Sequence, residues 1–206
     1  MTDSSPTAPH QRRARRMFIL LALLFIAPVA IAFFLYYGAS WRPEGETHYG
    51  GLAKPPRSLP EVSLPSAAGG RTPADFLRRQ WTLLYVGPGS CDTRCRQALY
   101  EMRQVRLSLN QNMDRVQRVF LYSGECCEQP WFSTEHAGLI AADVDGEDGR
   151  RLLDAVAGHE GVGVLNAGRI YVVDPLGNLL LSYEPGAEPK GMITDLRRLL
   201  KLSHIG

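Results

Sequence analysis

The chain has 206 residues, 45% of them apolar and 21% charged, which suits one folded domain of ordinary size beside a short apolar segment. Its 23 Lys and Arg against 21 Asp and Glu leave a formal charge of +2, too small a bias to mark a nucleic-acid binder or a protein of acidic partners. Four cysteines are too few for a disulfide scaffold.

Residues 1–16 are polar and carry Arg12, Arg13, Arg15 and Arg16, and residues 17–37 then run without a charged side chain. Such a run is long enough to cross a bilayer core of about 30 Å as one helix. It is longer than the apolar region of a cleavable leader and ends in Phe33, Phe34, Leu35, Tyr36 and Tyr37, so a retained anchor is predicted. Pro28 inside it is tolerable in lipid, and Tyr36, Tyr37 and Trp41 suit the far interface. The arginines before the span place the amino terminus in the cytoplasm and the rest across the inner membrane, in a periplasm or a mitochondrial intermembrane space.

Residues 38–58 are rich in Gly and Pro, lack periodicity and read as a tether. Residues 59–206 form the remaining domain. It opens with Val62 and Leu64 alternating with polar residues, a Gly69-Gly70 turn and a short helix over 72–79.

Residues 81–86 are aromatic and apolar and stop at Gly87, Pro88 and Gly89, which reads as a buried strand ended by a turn. Beyond the turn, Ala98, Leu99, Met102, Val105, Leu109 and Met113 recur at helical spacing over 96–113. Cys91 and Cys95 sit on the joint, at what reads as the helix start. Four residues apart in a first turn, they can face the same way, near free backbone N–H groups and the positive dipole end that favour thiolate. Two such sulfurs suit Cu(I) binding or reversible disulfide chemistry. A structural bridge is the plainer alternative, although a loop so short removes little unfolded-chain entropy.

A second strand is predicted over 116–122, followed by a loop carrying Cys126 and Cys127 and reaching about Gly138. Residues 141–149 read as an acidic turn, residues 150–157 as a helix and residues 170–173 as a third strand. The turn Asp174-Pro175-Leu176-Gly177-Asn178 leads to a hairpin partner over 179–183, and residues 190–202 form an amphipathic helix. Strand, helix, strand, helix, strand, hairpin and helix describe an α/β domain, a mixed sheet with helices on its faces.

This order, with LPEVSL and GGR, WTLLYVG leading into Cys91 and Cys95, RVFLYS, and IYVVDPLGNLLLSYEP, resembles the thioredoxin-like superfold and, within it, the Sco/SenC family of cytochrome oxidase assembly proteins. The resemblance covers residues 59–202. It implies a membrane-anchored factor that handles Cu(I) for an oxidase subunit carrying a binuclear copper centre, with Cys91 and Cys95 as thiolate ligands. As alternatives to that first reading it admits a thiol-disulfide oxidoreductase, with Cys91 and Cys95 as the redox pair keeping that subunit's cysteines reduced, or a non-catalytic binding module. Three departures stand out. Asn166 occupies the position that the family's third ligand, a histidine, would take; Arg96 replaces a proline after the second cysteine; and Gly124-Glu125-Cys126-Cys127 replaces an Asp-Pro pair. Asn is a poor Cu(I) ligand, so Cys126 and Cys127 are candidates for a substitute if the two loops meet at one sheet edge.

The histidines carry little expectation. His10 precedes the span, His48 is in the tether, His204 is terminal, and His136 and His159 read as exposed loop residues. Asp143, Asp145, Glu147 and Asp148 lack the closing glutamate of a calcium loop and read as a solvated turn. Trp131 and Phe132 suit either a partner surface or a cap on the core.

Overall fold

The computed structural model describes residues 9–37, 48–127, 131–156 and 163–203. The chain divides into two compact units, Met1–Glu46 and Thr47–Gly206. In the first, helix α1 (Pro9–Tyr37) runs continuously through Pro28. Its stretch Arg13–Tyr37 has 25 residues and is apolar enough to serve as a single-pass membrane anchor. At about 1.5 Å per residue it exceeds the bilayer core. Residues 38–47 of the predicted tether, and also His159 and His204, lie outside the described residues.

The second unit is a six-stranded mixed sheet. Its strands are β1 (Gly51–Ser58), β2 (Trp81–Pro88), β3 (Val116–Ser123), β4 (Leu139–Asp143), β5 (Ile170–Val173) and β6 (Asn178–Tyr183). They lie in the order β1-β6-β5-β2-β3-β4. β2, β3 and β4 are parallel, whereas β5 is antiparallel to both β2 and β6. The sheet is covered on both faces, which is why β2 and β5 read as unbroken apolar runs. Helices α2 (Thr93–Leu107) and α6 (Pro189–Leu202) cover one face, where Leu99, Met102, Met192 and Leu196 pack on Leu83, Phe120 and Leu181. Helix α4 (Glu147–Ala155) and the segment bearing Leu59, Val62, Leu64, Phe76 and Leu77 cover the other, against Leu84, Val86, Val119 and Leu121. Two short helices, α3 (Trp131–Glu135) and α5 (Val164–Ala167), lead into β4 and β5. The domain is thus an α/β thioredoxin-like fold, preceded by one apolar helix long enough to span a membrane.

Several local expectations are corrected. Residues 51–58, read as tether, form the edge strand β1, paired antiparallel with β6. Pro55 and Pro56 cannot donate to a ladder, and the pairing shifts register between Leu52 and Arg57, as an edge position allows. Just before this strand, the buried Asp195 carboxylate accepts the Tyr49 N–H at 2.8 Å, the Gly50 N–H at 3.1 Å and the Tyr183 hydroxyl at 2.9 Å. These bonds tie the entrance of the domain to α6. Residues 72–79 form successive turns instead of a helix, with Val62 and Leu64 bonded to Ala74 and Thr72. The helix predicted over 96–113 starts at Thr93, stops at Leu107 and resumes as a 3₁₀ segment, Asn110–Arg115. Residues 139–143, partly read as an acidic turn, are strand β4.

Candidate functional site

The parallel run of β2, β3 and β4 brings their carboxyl ends to one edge of the sheet. Pro88 pairs with Ser123, and Tyr122 with Asp143. Since β5 runs the other way and Ile170 pairs with Tyr85, the segment entering β5 arrives at the same edge. Four loops therefore meet there, and three of them carry Cys91 and Cys95, Cys126 and Cys127, and Asn166.

Cys91 lies between the end of β2 and the first turn of α2, in a left-handed conformation with φ 46°. Its N–H donates to the Pro88 carbonyl at 3.1 Å, closing a turn over Gly89 and Ser90; the expected turn thus comes later than predicted, because Gly87 and Pro88 still pair with β3 as the end of β2. Asp92 caps α2 by accepting the Cys95 N–H at 2.9 Å. Cys95 is therefore the third residue of the helix, and a disulfide joins it to Cys91, the Cα atoms standing 5.0 Å apart. The predicted joint of strand, turn and helix is present. Both cysteines are withdrawn from solvent, Cys91 being 6% exposed and Cys95 fully buried.

Burial and the charges around the pair act in opposite senses on a reduced sulfur. The helix start and the nearby Arg94 and Arg96 favour thiolate, whereas the Asp92 carboxylate and removal from water oppose it. The same surroundings push the Tyr85 hydroxyl up to about 12, first through burial and then through the charge of Asp92. Tyr85 therefore stays protonated beside the site.

The second cysteine loop is held against the first. A side chain on Gly89 would overlap the backbone carbonyl of Glu125, so only a glycine allows this approach; the Gly89 N–H donates to the Ser123 carbonyl at 2.8 Å. Asp145 accepts the Ser123 hydroxyl and, at 2.9 Å, the Gly124 N–H. Those bonds hold its carboxyl below the ordinary carboxylate range. Arg96 links the Cys91 turn to α3: its Nε donates to the Cys91 carbonyl at 3.3 Å and its guanidinium lies 4.7 Å from the Trp131 ring centroid. Cys126 and Cys127 are bonded to each other, half-buried, and packed on the same apolar cluster as Cys91 and Cys95.

Asn166 is exposed, in α5. Two residues on, Gly168 adopts φ 63° and comes within 3.3 Å, by its would-be Cβ, of Arg94 Cδ on α2. The loop that the resemblance assigns to a histidine ligand thus reaches the cysteine helix but carries an amide. Among the described residues no group of three or more His, Cys, Asp and Glu side chains could hold a metal ion. As a donor set, Cys91 and Cys95 fit Cu(I) only after reduction and as a two-sulfur site.

His136, read as a solvated loop residue, is 3% exposed, with its ring 4.8 Å from that of Trp131. Burial, then Arg118 and Arg103, hold its pKa below 6.5. It belongs to the core beneath α3. Gly89, Asp92, Arg96 and Asp145 are the site residues that the sequence did not single out for these roles. Asp92 had a legible signal, an N-cap residue one position before a helix.

No curated protein sequence matches the chain significantly. Among solved structures it is similar to apo Sco1 from Thermus thermophilus, with a TM-score of 0.59 at 20% identity, over 76% of this chain and 99% of that one. It is also similar to copper-bound ScoI from Arabidopsis thaliana, with a TM-score of 0.57 at 18% identity, over 75% and 99%. Copper-bound yeast Sco1 gives 0.55 at 14% identity, over 76% and 95%. These likenesses establish a shared fold. Residues 81–203, more than half of the chain and the whole run from the cysteine-bearing strand to α6, match the family described as transmembrane-like, thioredoxin-like, C-terminal domain, and the chain belongs to that family.

Proposed function

We propose that the chain is a membrane-anchored thiol-disulfide protein whose Cys91 and Cys95 exchange two electrons with the cysteines of an oxidase subunit that accepts copper. The observation that carries this reading is the bridged pair itself, placed by a helix cap at the edge where four loops meet. In the reduced chain, the Cys91 thiolate attacks a disulfide of the client, forming a mixed disulfide and releasing one client sulfur as a thiolate that takes a proton. Cys95 then attacks Cys91, re-forming the Cys91–Cys95 bridge and releasing the second client thiol. Cys91 is the attacking sulfur because it keeps some exposure, while the fully buried Cys95 is suited to resolve the intermediate. The arginines that precede the uncharged run of α1 orient this domain towards the periplasm or intermembrane space, where client disulfides form.

A second reading, carriage of Cu(I) by the reduced pair, is favoured by the fold likeness to copper-bound ScoI from Arabidopsis thaliana. One experiment separates the two. The full chain in detergent micelles is reduced and mixed with a disulfide-bonded peptide copying the client's copper-binding cysteines, and separately with a Cu(I) chelator loaded with copper. Loss of peptide reduction in Cys91→Ser supports exchange. Withdrawal of copper from the chelator, lost in both Cys91→Ser and Cys95→Ser, would install the copper reading in its place if the peptide is left oxidised.

A further inference from the structure

The loop after β3 carries two adjacent cysteines that the exchange reaction does not use. The loop is held from three sides, one of them the Cys91 turn. Gly89 meets the Glu125 backbone on one, Asp145 holds Ser123 and Gly124 on another, and Arg96 joins the Cys91 carbonyl to Trp131 on the third. Both pairs rest on one apolar cluster, and both are bridged. They differ in access: Cys126 and Cys127 are half-buried, whereas Cys91 and Cys95 are buried. A folded protein dithiol therefore reaches the outer pair more easily than the inner one, where the small exposure of Cys91 suits an extended client segment.

We propose that Cys126 and Cys127 are a second redox pair that receives electrons from an external protein dithiol and passes them to Cys91 and Cys95. This relay rests on the exchange function proposed above. The external dithiol reduces the Cys126–Cys127 bridge and becomes a disulfide. The Cys126 thiolate, next to the Glu125 contact, then attacks Cys91 Sγ; a Cys126–Cys91 bond forms, the Cys91–Cys95 bond breaks, and Cys95 leaves as a thiolate that takes a proton. The Cys127 thiolate attacks Cys126, re-forming the outer bridge and releasing Cys91. Two electrons and two protons have moved inward, and the inner pair is ready for a client.

The test uses the full-length chain in detergent micelles with reduced thioredoxin as the protein dithiol and dithiothreitol as a small one, reading the state of Cys91 and Cys95 by thiol labelling and peptide mass mapping. The relay predicts that thioredoxin reduces the inner pair on the order of tenfold faster in wild type than in Cys126→Ser Cys127→Ser, while dithiothreitol reduces it at like rates in both. Equal rates with thioredoxin would overturn the relay. In a second measurement, Cys95→Ser Cys127→Ser should form an intramolecular Cys91–Cys126 bridge under mild oxidation, and a failure to form it would overturn the proposed route. The Cys126→Ser Cys127→Ser chain, reduced beforehand, should still reduce the client peptide. Loss of that reaction would count against the function of the inner pair, whereas slow recharging alone is the signature of the relay.

Discussion

The two cysteine loops end neighbouring parallel strands, yet they are built by different means. The Cys91 loop is largely local: a strand stops at Pro88, a carboxylate caps the next helix, and the bonds made by Cys91 and Cys95 themselves span five residues or fewer. The Cys126 loop has its position set from outside, by Gly89 on one strand end and Asp145 beyond another. A loop defined by near neighbours can be read from sequence and resists distant substitutions, whereas one defined by contacts depends on residues far along the chain.

Gly89→Val should break the comparison most strongly. The added side chain overlaps the Glu125 backbone, so either the Cys126 loop moves away or the turn after β2 distorts. The expected loss is about 1–3 kcal/mol, typical of overpacking a close contact. Thermal unfolding of the full chain checks it, together with faster labelling of Cys126 and Cys127 after reduction. Unchanged stability and labelling would mean that the loops do not depend on this approach.

Asp92→Ala acts on the local loop alone. Removing the cap should cost about 1 kcal/mol, with the melting temperature as the readout. It should also quicken alkylation of Cys91 in the reduced chain, since a carboxylate that opposes thiolate is gone. Asp92→Asn separates these effects, because an amide can still cap but carries no charge.

Asp145 should give the smallest effect, since it is solvent-exposed and its interactions are screened. Its carboxyl is depressed in the folded chain by the Ser123 hydroxyl and then the Gly124 N–H. Its contribution is therefore present above the ordinary value of 3.8 and is lost as pH falls through the lower folded value. Asp145→Asn should flatten that part of a stability-against-pH curve, and an identical slope in both chains would remove Asp145 from the anchoring of the loop.

The same division explains what was legible. The buried strand, the turn, the cysteine helix, the β5-β6 hairpin and α6 were all visible because each rests on a pattern within its own residues. β1 was not, since its proline pair and Gly51 read as tether, and the Asp195 carboxylate that ties the domain's entrance to α6 lies far along the chain. β4 was obscured because its short apolar run ends among Asp143, Asp145 and Glu147, which score as turn. Within the site, both cysteine pairs were singled out, but their burial was not foreseen. Nor were the roles of Gly89 and Arg96: a glycine in a turn announces conformation, not the backbone it will meet, and an arginine beside a cysteine does not announce the Trp131 ring.

The central claim is that Cys91 meets the client and Cys95 resolves the product. Two full-length variants test it directly, one retaining only Cys91 (Cys95→Ser Cys126→Ser Cys127→Ser) and one retaining only Cys95 (Cys91→Ser Cys126→Ser Cys127→Ser). Each is incubated with the disulfide-bonded client peptide, and mixed disulfides are identified by mass. The account predicts that the chain with Cys91 alone accumulates a stable mixed disulfide and that the chain with the buried Cys95 alone does not. Equal trapping by both, or by neither, would contradict it.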